Sequence, residues 1–111
     1  MGTNYFVFVE GEKVHIGKRS GGWSFVWNFQ NNKYDDLSSL LNFISLHDIY
    51  DEDSNTMTWY DFFSMAMNWN PINRPDFVLP EGATLINGLV IDEKYNDIID
   101  GLCVFKHAYF R

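Results

Sequence analysis

From Trp23 to Phe29 the chain reads Trp-Ser-Phe-Val-Trp-Asn-Phe, large aromatic residues alternating with smaller or polar ones. A period of two puts the four rings on one face of an extended strand. Rings of that size need a covering layer, so the strand has to belong to a sheet with something packed against one side.

The flanking segments supply both the sheet and the cover. Tyr5 to Val9 is rich in β-formers, Glu10-Gly11-Glu12 reads as a turn, and Lys13-Val14-His15-Ile16 resumes the alternation, which together predict a hairpin. After a polar break at Gln30 to Lys33, Asp35 or Asp36 can cap a helix. Its apolar positions Leu37, Leu40, Leu41 and Ile44 recur at spacings of three and four, with Phe43 widening the stripe and an end expected near Leu46 to Asp48. From Ile49 to Thr58, acids and amides separate two short β-like pieces. Thr58 followed by Asp61 resembles a capping box and opens a second helix, which Pro71 and Pro75 close. Pro80-Glu81-Gly82 is a further turn. Ala83 to Val90 and Leu102 to Tyr109 read as closing strands around the polar insert Ile91 to Asp100.

The expectation is an α+β fold: a mainly antiparallel sheet of about five strands with two helices packed on one face. With 111 residues, of which 46% are hydrophobic, the chain can bury one core and has no room for a second, so residues 1–111 are expected to form a single compact domain.

The net charge of −7 is unevenly distributed. Lys13, Lys18, Arg19 and Lys33 outnumber the acids before Tyr34. Residues 35–70 hold Asp35, Asp36, Asp48, Asp51, Glu52, Asp53 and Asp61 without a single Lys or Arg. Neutralising phosphates needs a basic face, so direct nucleic-acid binding is not expected; an acidic surface repels nucleic acid or docks on a basic partner. No run reaches the roughly 18 to 20 apolar residues of a membrane span, and the opening residues lack a signal-peptide pattern, which predicts a cytosolic protein with no membrane partner. Gly2 does not fit a myristoylation signal, because Phe6 stands where that signal wants Ser or Thr. Cys103 is the only cysteine, so an internal disulfide and a cysteine-clustered zinc site are both excluded, and a buried thiol is expected.

Candidate chemistry concentrates in two places. The run His15-Ile-Gly-Lys-Arg-Ser-Gly-Gly-Trp23 can form an anion-binding nest from Lys18, Arg19, Ser20, Gly21 and Gly22. It matches no phosphate-loop pattern, and the competing reading is architectural: Gly17, Gly21 and Gly22 supply turns with positive φ and let Trp23 pack closely. The acidic stretch Asp51, Asp53 and Asn55 falls on the first positions of a calcium loop, but Thr56 replaces its glycine and Phe62 its bidentate glutamate, so no metal is expected there.

His15, His47 and His107 are dispersed. Cys103 and His107 would share one face of the closing strand about 13 Å apart, too far for a dyad. No catalytic group, metal or cofactor is therefore assigned. The second helix carries more apolar side chains than one face can bury: Trp59, Tyr60, Phe62, Phe63, Met65, Ala66, Met67 and Trp69. They serve either as core or as an adaptable partner interface.

The start Met-Gly-Thr-Asn-Tyr, the His15-Ile-Gly-Lys-x-Ser-Gly-Gly-Trp-x-Phe run, the Ile-x-Asp-Glu hairpin ahead of a second helix and the strand-rich end resemble a family of small, largely uncharacterised bacteriophage proteins. Many relatives of that pattern carry a Cys-x-x-Cys pair in the first hairpin, which looks like half of a zinc site. Here the hairpin is shortened to Glu10-Gly11-Glu12, so no metal carries over. The resemblance implies a phage origin and no particular reaction.

Together these readings predict a phage accessory protein of the host cytoplasm that binds and inhibits a host protein with a basic surface, such as a CRISPR or restriction effector. The contact residues would be Asp48, Asp51, Glu52, Asp53, Trp59, Tyr60, Phe63 and Trp69, with homodimerisation left open. The alternative is a small-ligand or nucleotide-phosphate binder built on residues 15–23.

Overall fold

The computed structural model describes residues 2–105; the expected strand residues beyond Phe105, including His107, lie outside the described part. Nine strands and two helices follow in the order β1 (Gly2–Val9), β2 (Glu12–Ser20), β3 (Val26–Asn28), α1 (Leu37–Ile44), β4 (Ile49–Asp51), β5 (Thr56–Met57), α2 (Trp59–Asn68), β6 (Thr84–Ile86), β7 (Leu89–Ile91), β8 (Asn96–Ile99) and β9 (Leu102–Phe105). Seven strands form one sheet in the order β5-β4-β1-β2-β3-β9-β8, and β6-β7 is a separate hairpin. Among the described strands only the β3–β9 pairing is parallel.

The expected α+β class and two helices hold, whereas the count of about five strands is too low. The two short β-like pieces between Ile49 and Thr58 are strands, β4 and β5, and two turn signals account for the other two. Asn87-Gly88 splits the expected strand Ala83 to Val90 into β6 and β7, and Asp100-Gly101 joins β9 to a strand, β8, inside what reads as a polar insert. Both pairs have positive φ at both positions, 51° and 78° at Asn87-Gly88 and 51° and 79° at Asp100-Gly101, as does Glu10-Gly11 at 52° and 82°. Such turns match the twist of the strands they join, so two-residue loops close all three hairpins.

The β1–β2 ladder holds the main irregularity. Tyr5 pairs with Gly17 and Phe6 with His15, so Ile16 is an extra residue in β2. This bulge reverses the alternation downstream. Val14 and Ile16 are both buried on the helix-covered face, yet Lys18 beyond the bulge pairs with Asn4 and Val26 on the opposite, open face.

Both helices cover the same face. Leu40 and Ile44 of α1 and Phe62 and Ala66 of α2 form one core with Tyr5, Val7, Val14, Ile16, Trp27, Ile49, Leu102 and Val104. Phe62 is central: its ring lies 5.1 Å from Tyr5, 5.6 Å from Phe25 and 5.4 Å from Trp27, in tilted or edge-on geometry that aromatic quadrupoles favour. Phe25 reaches that cage because Gly17 has no side chain; a Cβ there would stand 2.5 Å from the Phe25 ring. The α1 start is fixed as expected, by Asp36 accepting from Ser39 N (2.7 Å) while Ser39 Oγ accepts from Asp36 N. Asp100 adds a bond from Leu37 N at 3.1 Å. That helix stops at Ile44, earlier than the sequence pattern implies. Thr58 caps α2 by accepting from Asp61 N at 3.2 Å.

Truncating the cage centre removes three aromatic contacts and leaves a void that the sheet cannot collapse into. Phe62→Ala is expected to lower stability by about 3–5 kcal/mol in urea unfolding, and Phe63→Ala, at a partly buried position beside it, by clearly less. Equal losses would contradict this packing.

Candidate functional site

The acids singled out in the sequence converge on one edge of the sheet but do different jobs. Asp51, at the end of β4, turns its carboxylate back into its own loop. Oδ1 accepts from Asp53 N and Asn55 N, each at 2.9 Å, and Oδ2 accepts from Asn55 Nδ2 at 3.0 Å. The Asn55 side-chain bond is the main reason its carboxyl is held below the usual range. Glu52 Oε1 accepts from the Asn4 backbone N–H and from Asn4 Nδ2 (2.9 Å), tying the β4–β5 turn to β1. Asp48 and Asp53 are exposed.

The aromatic strip of α2 divides in the same way. Trp59, Phe63 and Trp69, expected as partner contacts, are partly buried and packed against the core. Trp69 is further committed: its Nε1–H donates to Trp23 O (2.9 Å), and the guanidinium groups of Arg19 and Arg74 lie 4.9 and 4.8 Å from its ring. Tyr60 alone of the four is truly exposed, at 65%.

The glycine run is not one site. The bulge sends Arg19 to the helix face, onto Trp69, and Lys18 with Ser20 to the open face, so the expected five-residue nest is split. β2 continues to Ser20, and of the three glycines in the run only Gly22 has positive φ, 81°, which corrects the architectural reading of Gly17 and Gly21 as left-handed turn residues. At Gly17 the close neighbour is Phe25, not Trp23.

The open face carries an aromatic layer. Phe8 meets Tyr50 edge-on at 5.0 Å, His15 lies 4.9 Å from Phe6, and Lys13 Nζ sits 4.0 Å above the Phe6 ring. At the other end of this face, Lys18, Ser20, Trp23, Val26, Asp92, Tyr95, Asn96 and Phe105 line a cavity of about 230 Å³. Its floor is rigid. The turn before β8 is closed by Asn96 N donating to Asp92 O (2.7 Å), Asp92 N to Asn96 Oδ1 (2.9 Å) and Lys94 N to Asp92 Oδ1 (3.0 Å). Asn96 is 7% exposed, and its Nδ2 has no acceptor among the described residues. Ser24 anchors the adjoining hairpin, donating from N to Val90 O (3.2 Å) and accepting from Val90 N at Oγ (2.7 Å).

Asp92, Tyr95 and Asn96 were not singled out from the sequence. The available signal was Asp92 four residues before Asn96 in a turn leading to a strand, a pattern read there only as a polar insert.

The buried thiol expected at Cys103 is found, its pKa pushed up to about 12 by burial. Among the described residues, no group of three His, Cys, Asp or Glu side chains gathers to hold a metal, and no helix is long and apolar enough to cross a membrane. No family model, curated protein or solved structure matches the chain.

His15 gives the open face a pH signature. Burial, reinforced by Lys18 and Lys13 and opposed by the bond to Gly17 O (3.1 Å), lowers its pKa from 6.5 to about 4. A depressed folded pKa means that the unfolded chain binds more protons between those values, so stability is full above pH 6.5 and declines as pH falls toward about 4. The thermal midpoint should therefore drop across this window, and His15→Phe, which keeps a ring against Phe6, should flatten the drop. An unchanged slope in the variant would contradict the assignment.

Proposed function

We propose that the chain is a non-catalytic bacteriophage accessory protein that binds and inhibits a host protein in the host cytoplasm. Its target is a protein with a basic surface, of the kind carried by nucleic-acid-handling defence effectors. One observation supports this above the others: exposed Asp48, Glu52, Asp53 and Asp61 lie along β4, β5 and the first turn of α2, together with exposed Tyr60, in a segment devoid of Lys and Arg. Like charges gathered in a segment without Lys or Arg raise the local negative potential and steer a basic partner toward that edge. A tyrosine beside them offers a ring and a hydroxyl at small entropic cost, which is how interface anchors work.

The anchor set differs from the one read off the sequence. Asp51 and Glu52 hold the turn and β1 together, while Trp59, Phe63 and Trp69 belong mainly to the core. Contact therefore falls to Asp48, Asp53 and Tyr60, the members of the set whose side chains are not spent on the fold. Charge reversal at Asp51 would unmake the loop and so could not separate binding from folding.

The test is a quantitative pull-down from host lysate with the purified domain, followed by affinity measurement on the captured protein. Asp48→Lys with Asp53→Lys should keep the wild-type melting temperature and weaken capture by tenfold or more, with the loss growing at low salt, where screening is weakest. Tyr60→Ala should cost about tenfold at any salt. Capture indifferent to all three substitutions would overturn the reading.

A further inference from the structure

The open-face cavity has a composition that partner docking at the β4–β5 edge leaves unexplained. Three of its walls are aromatic, Trp23, Tyr95 and Phe105, with Tyr95 and Phe105 nearly parallel at 18° and 6.2 Å between centroids. Its floor is polar and fixed. Asn96 is more than nine-tenths buried, its Oδ1 is consumed by Asp92 N, and the amide leaves Nδ2 as a donor with no acceptor among the described residues. Asp92, which shares that lining, has Oδ1 engaged by Lys94 N.

The Asn96 amide lines the cavity, so its Nδ2 is a donor that a bound acceptor can meet. A donor and an acceptor held side by side by a closed turn, between aromatic walls, complement the hydrogen-bonding edge of a flat heterocycle. Lys18 and Ser20 at the rim add a cation and a hydroxyl where an anionic substituent would project. The size limits the ligand: about 230 Å³ is below the roughly 300–1,000 Å³ of sites for drug-sized molecules, so one base lies inside while its sugar and phosphate extend across the rim, and a second base has no room.

We propose that this cavity binds a mononucleotide-like ligand, its base between Trp23, Tyr95 and Phe105, its base edge on Asn96 Nδ2 and the Asp92 carboxylate, and its phosphate at Lys18. The bulge at Ile16 is what makes the site available, because it turns Lys18 and Ser20 toward the aromatic residues of β9 and the β7–β8 turn. The site is separate from the acidic edge and does not depend on a macromolecular partner.

Isothermal titration of the isolated full chain tests it with the four common nucleoside 5′-monophosphates, their nucleosides and inorganic phosphate. At least one monophosphate should bind with 1:1 stoichiometry, its nucleoside more weakly, and inorganic phosphate not measurably. Tyr95→Ala, at a position exposed enough to tolerate truncation, should weaken the monophosphate about tenfold, as loss of one stacking platform does. Asn96→Asp, which keeps the Oδ1 acceptor for Asp92 N but removes the donor, should change the order of preference among the bases. Lys18→Ala should bring the monophosphate down to the affinity of its nucleoside. No binding by any base-bearing probe at millimolar concentration overturns the proposal, as does phosphate binding as well as the nucleotides or binding indifferent to Tyr95→Ala.

Discussion

One additional residue in β2 determines what each side of this molecule is for. Strict alternation from Val14 would carry Ile16, Lys18 and Ser20 onto the same buried face and would leave a lysine under the helices, where desolvation is costly. The bulge at Ile16 inserts half a period. Val14 and Ile16 stay in the core, Gly17 offers its bare backbone to the Phe25 ring, Arg19 faces α2, and Lys18 comes out on the open face. The covered face and the open face thereby acquire separate chemistries from adjacent residues.

On the covered face, that sorting lets α2 dock. Phe62 enters a cage of Tyr5, Phe25 and Trp27, each supplied by a different part of the sheet side, and Arg19 and Arg74 close over Trp69 at the end of the helix. Aromatic residues that could have formed a sticky external strip are thus used internally. Of the α2 strip, Tyr60 beside the acids and Met67 remain exposed, and the open face carries exposed Phe8 and the cavity around Trp23, Tyr95 and Asn96.

Much of the architecture was legible because it is written in periodicity and capping chemistry. The 3–4 spacing of Leu37, Leu40, Leu41 and Ile44 and the caps at Asp36 and Thr58 each have a local physical cause that the structure shows, whereas the alternation from Trp23 to Phe29 yields a strand of only Val26–Asn28, with Trp23 outside it on the open face. Asn87-Gly88 and Asp100-Gly101 are equally local signals, but they lie inside stretches whose composition reads as one strand and one polar insert. The site was much less legible. Nothing around Ile16 announces a bulge, so Lys18 and Arg19 looked like neighbours in one loop when they occupy opposite faces. Likewise, Asp51 resembles Asp53 in sequence, and only the hydrogen bonds from Asn55 distinguish a turn-forming acid from a surface charge. The cavity joins residues from β2, β3, β9 and the turn before β8, a juxtaposition that sequence spacing cannot express.

The face reversal at the bulge is the claim on which the rest stands, and nuclear Overhauser contacts in the native protein test it directly. Arg19 side-chain protons should show contacts to the Trp69 indole, with the upfield shifts of protons held over an aromatic ring, while Lys18 protons show contacts to Gly2 and none to Trp69. Contacts from Lys18 to Trp69, with Arg19 on the open face, would mean that β2 runs without the bulge and that neither the helix clamp nor the cavity is built as described.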